Sequence, residues 1–170
     1  MEGKQQRGSE DLARRIRAFI AAHHVLSLAT HGPEGPHAAN VFYAHDGMLV
    51  FWVSDRATRH SREIEREPRV AITIAPDYAD FPEVRGLQMS GTARRVESAQ
   101  ERARLLSQLE ARYPFLKRLA DLPQELREAY ARVDVYRFEP TRAVLIDNTR
   151  GFGHRETLEL GGRPPQAEDT

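Results

Sequence analysis

Met48-Leu49-Val50-Phe51-Trp52-Val53 runs straight into Ser54-Asp55-Arg56-Ala57-Thr58-Arg59-His60-Ser61-Arg62-Glu63-Ile64, and the junction between the two decides the fold. The first segment is apolar, short, and rich in aromatic and β-branched residues, as a buried strand is. The second reads as a helix, with Thr58 at the N-cap and Pro68 as its stop. Its start carries hydroxyls (Thr58, Ser61), guanidinium groups (Arg56, Arg59, Arg62) and an imidazole (His60). A helix N-terminus presents unpaired N–H groups and a partial positive charge, and Arg binds phosphate through forked, charge-assisted hydrogen bonds. Two readings follow: an anion seat, or a capped, solvated surface helix whose arginines pair with Glu63, Glu65 and Glu67. Local chemistry by itself favours the second.

Upstream, Ala38 to Ala44 reads as a strand, joined to Met48–Val53 by the hairpin turn His45-Asp46-Gly47. Val25 to Thr30 is a further strand, and Gly32-Pro33-Glu34-Gly35-Pro36 a turn. Before them, Ser9-Glu10-Asp11 opens a helix that sets Leu12, Ile16, Phe19 and Ile20 on one face. Downstream, Val70 to Ile74 alternates as a strand and Ala75 to Pro82 is a loop. Val84 to Val96 is a long strand in which Gly86 and Gly91 mark bends or close backbone approach. A helix over Gln100 to Tyr113 stops at Pro114, and a shorter one runs from Pro123 to near Tyr130. Val133 to Phe138 and Ala143 to Ile146 close the series as strands. Residues 1–8 and 161–170 read as flexible termini around one domain spanning 9–160. Strands joined by tight turns, without a strand–helix rhythm, predict a mainly β, antiparallel barrel with flanking helices.

The 170 residues suffice for a real core, with 40% hydrophobic and 29% charged residues. Lys+Arg and Asp+Glu stand at 25 each, so nothing global points to nucleic acid or an anionic membrane. With no cysteine, disulfides, thiol catalysis and Cys-ligated metals are excluded. The absence of a bilayer-length apolar stretch or a signal peptide makes a cytoplasmic protein the default. His23, His24, His31, His37, His45, His60 and His154 fit no metal-ligand spacing, and no Ser-His-Asp arrangement can be argued. Trp52 belongs to the core rather than to a ligand's stacking partner.

Four motifs stand in order between roughly Ile16 and His154. They are Asn40-Val41-Phe42-Tyr43, Thr58-Arg59-His60, Arg85-Gly86-Leu87-Gln88-Met89-Ser90-Gly91 and Asp147-Asn148-Thr149-Arg150-Gly151-Phe152-Gly153. In that order and spacing the chain resembles the flavin-binding split barrels related to pyridoxamine 5′-phosphate oxidase, most of all a small bacterial branch. The resemblance implies a six-stranded antiparallel split β-barrel with peripheral helices. It also implies a homodimer, with FMN in a cleft at each end of the interface. It assigns the FMN phosphate to Thr58, Arg59 and His60, where His60 replaces the family's Lys. A neutral imidazole brings no charge, so phosphate affinity weakens as pH rises past the His pKa unless Arg56 or Arg62 compensates.

The same resemblance lays the flavin ring against Ala39, Asn40, Val41 and Phe42 and against the strand end Val53-Ser54. Asn40 then meets the pyrimidine or ribityl part; alternatively it is a polar residue bonded to a neighbouring strand. Gln88 reaches the phosphate or ribityl chain, from either subunit, or simply faces solvent. Asn148, Phe152 and His154 sit on a Gly-flanked loop that covers the flavin or only completes the dimer interface. The implied activity is an FMN-dependent oxidoreductase with a small-molecule substrate or electron donor and no assignable acid or base. Pyridoxamine 5′-phosphate oxidation itself is not expected, because no second basic cluster matches a substrate-phosphate site. The alternative is a non-catalytic carrier of flavin, deazaflavin or haem.

Overall fold

The computed structural model describes residues 2–121 and 123–161. Helix α1 (Glu2–Ala22) leads into strands β1 (Val25–Gly32), β2 (Gly35–Phe42), β3 (Ala44–Asp46) and β4 (Leu49–Asp55), then helix α2 (Arg59–Arg66). Strands β5 (Arg69–Ile74) and β6 (Arg85–Arg95), helices α3 (Ala99–Arg112) and α4 (Gln124–Ala131), and strands β7 (Val133–Asp147) and β8 (Arg155–Glu159) complete the chain. All strand pairs are antiparallel, in the order β2-β1-β5-β6-β7-β4-β3, with β8 added to β7. The curled sheet with helices around it is the mainly β antiparallel barrel that the sequence predicts and the split barrel that the resemblance implies, with more strands than the six implied.

The differences have local causes. The helix expected from Ser9 begins at Glu2. The strand expected over Ala38–Ala44 divides into β2 and β3. Val133–Phe138 and Ala143–Ile146 are one strand, β7, despite Pro140 between them. Pro140 is tolerated because the β6–β7 register shifts between Ser90 and Gly91, and a bulge needs no ladder N–H at that point. A Cβ on Gly91 would lie 2.1 Å from the Glu139 carbonyl oxygen, so glycine is obligatory opposite the proline. The tail expected from residue 161 lies outside the described residues beyond 161 itself.

The interior joins Leu12, Ile16 and Ile20 of α1 to Leu26, Leu28, Ile72, Ile74, Leu87, Met89 and Phe138 of the sheet. Trp52 is fully buried there, its ring stacked on Tyr136. A second cluster seats Leu105 and Leu109 of α3 against Phe51 and Val135 on the other face of β4 and β7. Alternation therefore gives the sheet an inner face and an outer face. One outer row runs in register through Asn40, Ser27, Thr73, Gln88, Val144 and Thr157. The next passes through Ala38, Ala29, Ala71, Ser90 and Arg142. Among the described residues no helix is long and apolar enough to cross a membrane.

Candidate functional site

β4 ends at Asp55, whose carboxylate accepts from Ala57 N–H (2.8 Å) and whose carbonyl accepts from Thr58 N–H (3.1 Å). This tight turn swings the chain into α2. Thr58 stays extended (φ −67°, ψ 151°) and caps the helix, its Oγ1 accepting from Ser61 N–H at 3.4 Å. Ser54, Thr58, His60 and Ser61 form one polar knot. Ser54 Oγ lies 2.7 Å from His60 Nε2, and Thr58 Oγ1 lies 3.2 Å from both. Ser61 Oγ is 2.8 Å from Thr58 Oγ1.

α2 packs on the inner face of β1 and β2, which carries Thr30 and, directly opposite it, His37. The His37 and His60 rings are parallel within 5°, their centroids 6.4 Å apart. Burial, and after it the neighbouring His37, pushes the His60 pKa below its ordinary value, so the imidazole is neutral at pH 7. Arg59 donates from Nε to Glu63 Oε1 (2.8 Å) and from Nη2 to the Gly35 carbonyl (3.0 Å). Glu63 is only 4% exposed and takes a second bond from Thr30 Oγ1 at 2.5 Å. That hydroxyl, followed by the Arg59 guanidinium, holds the Glu63 carboxyl below the usual carboxylate range. Arg56 pairs with Asp134, and Arg62 donates to the Ala57 carbonyl.

The helix thus starts against its own dipole, while Arg66 in its last turn is placed with it. No acid stands in the first turn, which instead carries Arg59, His60 and Arg62, while Glu63, Glu65 and Glu67 follow. Cations at a helix N-terminus are unfavourable, and an anion placed there relieves them.

Of the residues singled out from sequence, Ser54, Thr58, Arg59 and His60 converge at this tip. Ala39 and Val41 line the same inner face of β2, half buried. Val53 points the other way and packs against the α3 cluster. Asn40, on the outer face, accepts from Ser27 Oγ at 2.7 Å, a bond to the neighbouring strand. Phe42 is 57% exposed, its ring edge-on to Tyr113. Gln88 faces out beside Ser27, Ala38, Thr73 and Arg142, in a concavity of about 430 Å³.

Asn148 and Phe152 lie at the far end of β7 from the tip, since Asp134 pairs with Ser54 while Asp147 pairs with Arg85. The 15 residues of β7 span roughly 45 Å of strand path. Asn148 ties two loops together, donating to the Phe81 carbonyl (2.8 Å) and accepting from Gly153 N–H (3.0 Å). Phe152, 88% exposed, meets Phe81 edge-on. Sequence reasoning missed His37 and Thr30 and placed Glu63 on a solvated face. Period-two alternation along β2 would have put His37 on the face of Ala39 and Val41, but no local signal brings that face onto α2.

Comparison with known proteins bears on this geometry. The sequence profile described as pyridoxamine 5′-phosphate oxidase matches residues 12–145, most of the chain. The chain belongs to this family. Among family relatives, it is 26% identical over 142 residues to a UPF0306 protein of Photorhabdus laumondii, covering 82% of this chain and 90% of that protein. In fold it is similar to a heme binding protein from Mycobacterium smegmatis, with a TM-score of 0.68 and 21% identity. That likeness covers 86% of this chain but 57% of the mycobacterial one. HutZ of Vibrio cholerae, described as a heme storage protein, is similar with a TM-score of 0.60 and 20% identity, over 75% of this chain and 88% of HutZ. At these identities the structural likenesses establish the family's fold alone.

Proposed function

We propose that the chain is a flavin mononucleotide-binding protein, the phosphate seated at the tip of α2, and that it works as an FMN-dependent oxidoreductase on a small molecule. The cationic start of α2 carries the reading: a helix whose first turn holds Arg59 and Arg62 and no acid is stabilised by an anion at that end. The residues present suit a phosphate, because Arg59 presents a guanidinium nitrogen beside two imidazoles, while the Thr58 and Ser54 hydroxyls, bonded to the Asp55 carbonyl and to His60, would turn from those partners to donate. The flavin, when bound, supplies hydride and electron transfer; the chain's groups bind and orient it. Haem is the competing ligand, and the names of the two structural relatives speak for it. Against it, His60 Nε2 is already engaged by Ser54 Oγ.

The test is titration of the purified protein with FMN, riboflavin and haemin. FMN is expected to bind more tightly than riboflavin, which lacks only the phosphate. Equal affinities would remove the phosphate seat, and a Soret band with no flavin binding would establish the haem reading. FMN affinity is also expected to rise as the pH falls towards the lowered His60 value, because a protonated imidazole at the seat adds positive charge. His60, His37, Arg59, Arg62, Glu34 and Glu63 are charged or titratable groups gathered there. Stability of the free protein moves the opposite way. The folded state resists protonating His60, the unfolded chain does not, and stability is lost as pH drops through about 6.5 towards the lowered folded value. Melting curves with and without FMN on both sides of that pH check both signs.

A homodimer over the outer sheet face completes the proposal. Ala29, Ala38, Ala71 and Ser90 give that face a run of small uncharged residues, bordered by Arg142 and Arg69, where an exposed sheet ordinarily carries larger polar side chains. Such a pairing is the route by which Gln88, Asn148 and Phe152 would reach the partner's flavin. Sedimentation equilibrium is expected to give a dimer, and Ala71→Arg, at an exposed position, a monomer with an unchanged far-UV spectrum. A monomeric native protein would contradict the pairing.

A further inference from the structure

The geometry points to Glu63, with Thr30 behind it, as a positioning residue for the anion seat: it fixes the Arg59 guanidinium at the tip of α2 before any phosphate arrives. The inference rests on the reading of that tip as a phosphate seat. Glu63 sits one helical turn beyond Arg59, and three neighbours are shaped around it. Thr30 Oγ1 donates to Oε2 at 2.5 Å, and Arg59 Nε donates to Oε1 at 2.8 Å. Gly32 leaves the room, since a Cβ there would lie 2.7 Å from Glu63 Cγ. Arg59 is held in turn at two of its nitrogens, with Nη2 on the Gly35 carbonyl at 3.0 Å. Among the described residues its remaining nitrogen, Nη1, has only Glu34 at 3.8 Å, a side chain 78% exposed.

Helix stability does not account for this arrangement. A cation at the helix start opposes the dipole, and Arg placed before Glu at i,i+4 is the weaker orientation. Exposed pairs of this kind contribute little, whereas a buried carboxylate is costly unless its oxygens are satisfied. Here both oxygens are satisfied, by a strand hydroxyl and by Arg59, which borders the seat. The consequence is an arginine stripped of rotamer freedom, its unbonded nitrogen presented, so that binding a phosphate orders nothing further.

The experiment measures the ratio of riboflavin to FMN dissociation constants on the full chain, by flavin fluorescence, with a thermal melt of each variant. This ratio isolates the phosphate. Glu63→Ala is expected to lower it by about tenfold or more while riboflavin affinity stays near wild type. Glu63→Gln, which keeps an acceptor for Arg59 Nε, is expected to stay within about threefold of wild type. Thr30→Val, isosteric and lacking the hydroxyl, is expected to lower the ratio severalfold, and it decides the matter if Glu63→Ala does not fold. In an Arg59→Ala background, Glu63→Ala is expected to have no further effect, because Glu63 acts through that arginine. An unchanged ratio in Glu63→Ala or Thr30→Val, or an undiminished effect without Arg59, would overturn the assignment. A wild-type ratio of one is a different failure: it removes the phosphate seat itself, and this proposal with it.

Discussion

Arg59→Ala is expected to weaken FMN binding by about 2–4 kcal/mol, or roughly 30- to 900-fold in Kd, while riboflavin binding changes little. The guanidinium is the seat's main charged group: His60 is held neutral at pH 7, Arg56 is spent on Asp134, and Arg62 on a backbone carbonyl. The substitution also leaves the buried Glu63 with Thr30 alone and frees the Gly35 carbonyl at the β1–β2 turn. A lower melting temperature therefore accompanies the lost affinity. Comparing FMN with riboflavin separates the two effects, because a protein that is merely destabilised loses both ligands in proportion. Isothermal titration with each flavin is the measurement, and FMN affinity within a factor of about three of wild type would place the phosphate elsewhere.

Gly91→Ala is expected to be the most damaging single methyl group in the chain. The added Cβ would stand 2.1 Å from Glu139 O and 2.8 Å from Pro140 Cα, both backbone atoms with no rotamer to move. Relief requires the β6 and β7 backbones to part at the bulge, where Thr141 Oγ1 donates to Ser90 O at 3.2 Å. A loss of at least about 3 kcal/mol follows, a large share of the 5–15 kcal/mol or so that a domain has in total. Chemical denaturation should show the midpoint moving down with little change in slope. A shift worth less than about 1 kcal/mol would mean that the bulge yields more easily than its geometry allows. Because β7 carries Asp134 and Tyr136 alongside β4, a damaged bulge also loosens the strand from which α2 departs.

Much of this arrangement was legible in the residue order, and the legible part has one character. Thr58 as N-cap, Pro68 as stop and the hydroxyl and guanidinium groups of the first turn are read within a few positions of one another, where helix geometry sets the neighbours. The alternation in β1, β5 and β6 likewise announces a half-buried sheet before any partner strand is known. The continuity of β7 through Pro140 is not legible in this way, because the effect of a proline on a strand depends on what lies opposite, and only the tertiary structure sets Gly91 there.

Glu63 shows the same limit at the site. From sequence it is one of three acids on a charged helix, pairing with arginines in solvent. The fold turns that face onto β1, supplies Thr30 from 33 residues away, and makes an ordinary surface pair into a buried support. His37 reaches His60 by the same route, through a register between β1 and β2 and the docking of α2 on their inner face. Local periodicity determines which residues share an element and a face. Which faces meet is decided by long-range packing, because burial free energy depends on the partner surface and not on the segment alone.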